Sequence, residues 1–238
     1  MKLCDLHTHV LPGVDDGAST MECALEMIQN AIASDVELLA LTPHCNIPYS
    51  GGNYLDQDLK ERFAQLKETA KDLPIQLVLG AEVRANDQLL PNLAQGKIPT
   101  INDGRYLLTE FSPDTKDFEE MLRQILDLGY IPLIAHPERY IAVYKNPGIV
   151  MPWLDMGCHL QLTAGSVLGE YGKTVQRASA SLLKQGLVAC LASDAHGLHH
   201  RTNFLLDAYT HLSVQYSKQY AQCLLYENPM RICHNDNL

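Results

Sequence analysis

Seven short apolar runs, at 2–7, 36–41, 75–81, 105–111, 131–135, 159–163 and 188–192, recur along the chain with amphipathic stretches between them. The stretches near 20–34, 55–72, 88–95, 118–128, 148–156 and 167–185 have helical spacing, and two more follow near 202–212 and 217–226. Short strands separated by a helix's worth of chain pair in parallel, through right-handed crossovers. Such strands are covered on both faces and read as apolar nearly throughout, as 36–41 and 131–135 do. Two architectures satisfy this pattern: an irregular seven-unit barrel related to the eight-unit βα barrel, and an open doubly wound sheet. Periodicity alone does not choose between them. With no linker-like composition, internal repeat or low-complexity tract, one domain over residues 1–238 is expected.

Charge narrows the partners. Acids outnumber bases by 28 to 18, a formal net charge of −10, which excludes a nucleic-acid backbone or an anionic membrane as the main partner. No apolar stretch approaches the roughly 18 residues of a membrane span. Polar groups interrupt the N-terminal residues where a signal peptide needs its apolar core. Seven scattered cysteines without a Cys-x-x-Cys pair suit reduced thiols and a cytoplasmic setting.

In parallel α/β folds the functional crevice lies at the carboxyl ends of the strands. The first run here ends in His7-Thr8-His9, with Asp15-Asp16-Gly17 after a Leu-Pro-Gly turn. The second leads to His44, the third to Glu82, the fourth reaches Glu110, the fifth leads to His136, and the seventh to Asp194 and His196. Taken singly, a His-x-His pair or a terminal acid is ordinarily a surface feature or a helix cap. Unrelated caps do not place His, Asp or Glu at six of seven strand ends. Residues two apart on an extended chain face the same way, so His7 and His9 can reach one ion. Imidazoles mixed with carboxylates suit Zn²⁺, Mn²⁺ or Fe, whereas an all-oxygen set favours Mg²⁺ or Ca²⁺. Nine groups are too many for one tetrahedral site and enough for two or three ions.

Other chemistries fall away. A cysteine phosphatase loop needs Arg six residues after its Cys; after Cys45 that position is Gly51, and no other cysteine qualifies. Gly172-Lys173-Thr174 resembles the end of a P-loop, but the required first glycine falls on Val167. There is no Gly-x-Ser-x-Gly elbow. Arg139 and Arg201 follow His136 and His196 closely, at the mouth of the same crevice, where guanidinium groups hold phosphate bidentately.

With these residues in view, the chain resembles the PHP (polymerase and histidinol phosphatase) family of metallophosphatases, and within it the bacterial protein-tyrosine phosphatases of capsule and exopolysaccharide biosynthesis. The resemblance covers nearly the whole chain. It rests on Asp5-Leu6-His7-Thr8-His9, Val14-Asp15-Asp16-Gly17, Thr42-Pro43-His44, Gly80-Ala81-Glu82, Glu110, His136-Pro137-Glu138-Arg139-Tyr140, Ser193-Asp194-Ala195-His196, and the segment from Gln161 to Gly172.

This resemblance implies a distorted (β/α)7 TIM-like barrel, the PHP fold, with a trinuclear centre. His7, His9, Glu82 and Asp194 would hold one ion; Glu82, Glu110 and His136 the second, with Glu82 bridging; Asp16, His44 and His196 the third. Asp15 could exchange roles with Asp16. The implied ions are divalent, manganese first, with iron, zinc or magnesium as alternatives. The implied reaction is hydrolysis of phosphotyrosine in a protein by metal-activated hydroxide, with Arg139 and Arg201 stabilising the equatorial oxygens. The implied partner is an autophosphorylating bacterial tyrosine kinase. Histidinol-phosphate phosphatase is the nearest rival, with the same ligands and an alkyl phosphate. An amidohydrolase-type enzyme would normally use a strand-borne lysine, and no strand here ends in such a lysine. A non-catalytic metal-binding regulatory protein is the alternative of another class.

Overall fold

Proline and glycine interrupt two of the strands, and those interruptions shape the fold. In the computed structural model, which describes residues 1–47, 52–112, 115 and 118–238, the first half runs β1 (Leu3–Thr8), α1 (Met21–Ala33), β2 (Val36–Leu41), β3 (His44–Cys45), α2 (Gln57–Thr69), β4 (Gln76–Leu79), β5 (Glu82–Arg84) and α3 (Leu89–Ala94). Next come β6 (Tyr106–Glu110), α4 (Glu119–Asp127), β7 (Ile131–Ala135), α5 (Ile141–Lys145) and α6 (Met151–Asp155). Then follow β8 (His159–Thr163), α7 (Ala164–Leu168), α8 (Lys173–Lys184), β9 (Cys190–Ala192), α9 (Leu205–Gln215), α10 (Lys218–Gln222) and α11 (Asn228–Cys233). Side-chain caps start several helices: Thr20 accepts from Cys23 N–H at 3.2 Å before α1, and Asp56 from Leu59 N–H at 3.0 Å before α2.

All strand pairs among the described residues are parallel, in two sheets ordered β1-β2-β4 and β3-β5-β6-β7-β8-β9. Pro43, with no N–H to donate, ends the ladder after β2. The chain then re-enters the second sheet as β3. Gly80-Ala81 does the same between β4 and β5. A side chain at Gly80 would stand 3.0 Å from Ile101 Cδ1 and 3.2 Å from Thr42 Cγ2, so a larger residue in that turn would press on both neighbours. Two main-chain bonds tie β1 to the segment after β9: Asp194 N–H to His7 O at 2.8 Å and His9 N–H to Ala195 O at 2.9 Å.

Buried side chains fill three clusters. One joins Cys4, Leu6, Leu38, Tyr106, Leu108, Leu133 and Cys190 of the strands to Ile232 and Cys233 of α11, so the last helix closes one end of the strands. A second packs α1, α2 and α7 to α9 on the outside. Within it Phe118 lies 4.7 Å from Trp153 and stacks on Tyr140 at 5.7 Å, centroid to centroid. All seven cysteines are free thiols. Among the described residues, no helix is long and apolar enough to cross a membrane.

Three expected elements differ. The 75–81 run is split at Gly80. The expected helix over 167–185 is α7 and α8, separated at Gly169 and Gly172, whose φ angles of 97° and 88° are left-handed. The final stretch from 217 continues past 226 as a π-type turn into α11. Helix α5 had no sequence signal, because its five residues are too few to show a helical period.

Candidate metal centre

Strand register sets the first contacts. His44 of β3 lies opposite Glu82 of β5, and Arg84 of β5 opposite Glu110 of β6. His136 and Asp194 follow β7 and β9 with φ of 36° and 55°, left-handed conformations that L-residues rarely adopt. Such backbone strain concentrates where surrounding structure holds a functional side chain in place. Tyr140 supplies part of that hold: its hydroxyl donates to Ala135 O at 2.8 Å and accepts from Phe111 N–H at 3.0 Å, tying the ends of β6 and β7 together.

Glu82 sits at the middle. Its Oε2 is 3.4 Å from His7 Nε2, 3.3 Å from His9 Nε2 and 2.9 Å from His44 Nδ1, while Oε1 is 2.6 Å from His136 Nε2. Asp194 Oδ1 lies 3.4 Å from His7 Nε2 and 3.5 Å from both His9 Nε2 and His196 Nδ1. Asp16 Oδ1 lies 3.3 Å from His44 Nε2 and 3.4 Å from His196 Nε2. These side chains form three overlapping groups with ligand atoms within 4.8 Å of one another. They are His7, His9, Glu82 and Asp194; His44, Glu82 and Glu110; and His9, Asp16, His44 and His196. Eight of the nine expected ligands fall in these groups. His136 stands outside them, against Glu82 Oε1 and 3.9 Å from Glu110, and His44 takes the place beside Glu82 and Glu110 that was expected of His136.

The tautomers argue that these groups fit cations. Gln161 donates to Leu162 O through its amide nitrogen at 2.7 Å, so its oxygen faces His7 Nδ1 at 3.0 Å and takes that proton. Asp15 Oδ2 takes the proton of His9 Nδ1 at 2.7 Å. Both Nε2 atoms then present lone pairs, and they lie 3.3 Å apart. Two lone pairs at that distance repel unless positive charge sits with them. Among the described residues, buried Glu82 Oε2 and His196 Nε2 also find no hydrogen-bond partner. Mixed imidazole and carboxylate donors with an imidazole second nitrogen fixed by an acid or amide are the usual environment of a divalent transition metal.

Titration follows the same logic. Burial disfavours a charged His7 or His9, yet Glu82, Asp194 and, for His9, Asp15 raise both above the ordinary value. Burial also opposes ionisation of Asp194, but His7, His9 and Arg139 hold it well below the carboxylate range. Burial and the neighbouring His9 lower His196 to about 4, leaving a neutral imidazole. Burial and then Glu82 raise Glu110, in spite of Arg84 at 2.8 Å. Asp15, against the effect of burial, is drawn down to about 2 by His9 and by the N–H groups of Gly17 and His44.

Both expected arginines point at Asp194. Arg201 Nη2 donates to its two oxygens at 2.8 and 2.7 Å, and Arg139 Nη2 lies 2.8 Å from Oδ2. Beside Asp16 and His44 a cleft of about 610 Å³ opens, also lined by Asn53, Asp58 and Arg62.

Several further residues support the ligands, and of these only Asp15 was expected at the site, as the alternative to Asp16. Gln161 and Asp15 fix imidazole tautomers, and Arg84 pairs with Glu110. Asp5 accepts from Ser193 N–H at 3.0 Å and His7 N–H at 3.3 Å, and burial pushes its carboxyl up to about 6. The available signal was a polar residue within an apolar run: Asp5 in the first strand and Gln161 in the sixth. Asp15 and Asp16 divide the work, since Asp15 turns both oxygens to hydrogen bonds while Asp16, largely exposed, faces the two imidazoles.

Fold and site define a parallel α/β protein with a histidine–carboxylate centre suited to divalent metal. The chain belongs to the capsular polysaccharide synthesis CpsB/CapC family, whose model matches residues 3–234. Among its relatives, tyrosine-protein phosphatase YwqE of Bacillus subtilis is 31% identical over 99% of this chain and 93% of its own length. Tyrosine-protein phosphatase CpsB of Streptococcus pneumoniae is 32% identical over 97% of this chain and 98% of its own. A crystal structure from the work on YwqE and S. pneumoniae CpsB, described there as unique metal-dependent tyrosine phosphatases, matches with a TM-score of 0.91 at 29% identity, over 99% of this chain and 96% of that one. The phosphotriesterase homology protein of Escherichia coli shares the fold, with a TM-score of 0.64 at 14% identity over 97% of both chains.

Proposed function

We propose that this chain is a metal-dependent protein-tyrosine phosphatase that hydrolyses phosphotyrosine in a protein and acts in capsular or exopolysaccharide biosynthesis. What carries the reading is the gathering of eight histidine and carboxylate groups in three clusters, two of which share Glu82, with His136 against Glu82 and two guanidiniums directed at the adjoining Asp194. The names borne by the relatives agree with it.

The ligand sets of this reading are His7, His9, Glu82 and Asp194; Glu82, Glu110 and His136; and Asp16, His44 and His196. Three divalent ions would fill them, manganese first, with iron, zinc or magnesium as alternatives. Bound there, such ions polarise phosphate oxygens and lower the pKa of water from 15.7 to about 7. Gln161 and Asp15 hold the Nδ1 protons of His7 and His9, so that Nε2 is the nitrogen each would offer to a metal. Arg139 and Arg201, already in contact with Asp194, hold the equatorial oxygens of the phosphate and stabilise charge as it develops. A tyrosyl phenolate, with a pKa of about 10, leaves without strong help from an acid, so no general acid is assigned.

The same reading takes the strands as seven units of one distorted PHP barrel in a single domain over residues 1–238. The bonds between β1 and the segment after β9, with the parallel bridge between Thr8 and Ala195, support closure. The substrate of this reading is an autophosphorylating bacterial tyrosine kinase, in a cytoplasmic setting.

The test is hydrolysis of a phosphotyrosyl peptide by metal-stripped protein, with single metals restored, elemental analysis alongside, and histidinol phosphate in parallel. Metal-restored turnover of the peptide is expected. Turnover of histidinol phosphate alone would move the assignment to the rival phosphatase, and turnover of neither would remove it.

A further inference from the structure

Gly165 is out of place by helical standards. It lies inside α7 with a φ outside the left-handed region, where alanine is the better helix former. The reason for glycine is a neighbour: a methyl there would stand 3.0 Å from Tyr171 Cε2, tighter than ordinary contact. Gly165 O also accepts from the N–H groups of Gly169 at 3.0 Å and Glu170 at 2.9 Å. That turn, completed by the left-handed Gly169 and Gly172, brings the Tyr171 ring back across Gly165.

The ring also meets Arg139, whose guanidinium carbon is 4.1 Å from the ring centroid. Arg139 uses a single nitrogen, Nη2, for both Thr163 Oγ1 at 3.0 Å and Asp194 Oδ2 at 2.8 Å. Its buried Nε finds no hydrogen-bond partner among the described residues. Two contacts at one nitrogen anchor one corner of the guanidinium, while Nε, at its other end, has no polar partner among those residues to hold it. An aromatic face within about 6 Å restrains the guanidinium plane.

We propose that Tyr171 is a positioning residue: seated in the space that Gly165 leaves, its ring sets the plane of the Arg139 guanidinium that receives the phosphate. The inference rests on the phosphate-binding role given to Arg139 above. Its contact with the site is through Arg139.

The test uses metal-loaded full-length protein and two readouts: the dissociation constant of inorganic phosphate by calorimetry, and kcat and KM on a phosphotyrosyl peptide. Tyr171→Leu is expected to weaken phosphate binding and raise KM by about three- to tenfold, with metal content and melting temperature unchanged. Tyr171→Phe keeps the ring and should stay within about twofold of wild type. Gly165→Ala should move in the same direction as Tyr171→Leu, and the double variant should bind phosphate no worse than Tyr171→Leu alone. The proposal is overturned if Tyr171→Leu binds phosphate as wild type does, if Tyr171→Phe loses as much as Tyr171→Leu, or if the wild-type protein holds no phosphate. Phosphate binding that depends on the ring, without hydrolysis of the peptide, upholds the positioning role and counts against the phosphotyrosine reading alone.

Discussion

Replacing Asp15 with Asn changes one atom of a residue outside the ligand groups, and the geometry makes the consequence calculable. Asp15 Oδ2 accepts from His9 Nδ1 at 2.7 Å and from His44 N–H at 3.0 Å, while Oδ1 accepts from Gly17 N–H at 3.0 Å. Asparagine offers one acceptor and one donor where all three partners are donors. With its oxygen towards His9, the NH2 group faces Gly17 N–H, a donor–donor contact that costs about 1–3 kcal/mol. Turned the other way, the NH2 donates to His9 Nδ1, the imidazole proton moves to Nε2, and the lone pair aimed at Glu82 and Asp194 is lost. Either outcome weakens the site. Loss of an outer partner of a ligating histidine typically lowers metal affinity by about 10- to 100-fold, or 1.4–2.8 kcal/mol. Competition against a chromophoric chelator measures the affinity, with Asp58→Asn as the control on an exposed helix pair. An Asp15→Asn protein that binds metal within twofold of wild type would refute the claim that Asp15 sets the His9 tautomer.

Other outcomes follow from the same geometry. Removing metal with a chelator should abolish phosphatase activity and lower the melting temperature, and ligand at 100 times its dissociation constant restores about 2.7 kcal/mol; calorimetric scans with and without metal check it. Arg139→Ala should keep the metal, by elemental analysis, and lose roughly 10²–10³ in kcat, as removal of one charge-stabilising donor does. Gly17→Ala places a methyl 2.0 Å from His9 O, and the overlap should destabilise the His9 loop by about 3 kcal/mol in denaturant melts. Trp153→Ala empties the buried aromatic cluster beside Phe118 and should cost about 3–5 kcal/mol, leaving metal affinity near wild type in the protein that remains folded.

The parts of this fold that sequence reveals are those governed by local pattern. Strands β2, β7 and β8 fall where their runs predict: burial on both faces leaves β2 and β7 apolar nearly throughout, and in β8 Leu160 and Leu162 alternate with polar residues, of which Gln161 and Thr163 are turned to the site. The ligand positions are legible for a different reason: parallel strands bring their carboxyl ends to one side, so residues nearly 190 positions apart meet without any local cue. What sequence conceals is pairing at a distance. Nothing near Arg84 announces Glu110, and Gln161 lies 154 positions from the imidazole it orients. The single helix expected over 167–185 is divided because glycine at 169 and 172 turns the chain so that Tyr171 can return over Gly165. A helical period continues through such glycines without showing that they stop it.

Charge explains why so many groups gather in one place, and it separates the roles of two glutamates. Asp15, Asp16, Glu82, Glu110 and Asp194 bring five carboxylates, against the guanidiniums of Arg84, Arg139 and Arg201, which leaves the shell two charges negative when its histidines are neutral. Buried charge of one sign is costly, so the shell takes up cations. Three divalent ions would carry it to four positive charges, enough to hold a phosphate monoester dianion and a hydroxide equivalent. Sharing then matters more than number. Glu82 belongs to two of the three ligand groups, and its Oε2 faces three imidazole nitrogens, whereas Glu110 belongs to one group and is already paired with Arg84. Glu82→Gln replaces one anionic oxygen with an NH2 donor at the centre of the cluster and should reduce bound metal by more than one ion per chain. Glu110→Gln, at the edge, should remove at most one. Elemental analysis of both proteins after identical loading distinguishes them. Equal metal content in the two would mean that Glu82 is not shared, and the cluster would have to be redrawn as separate sites.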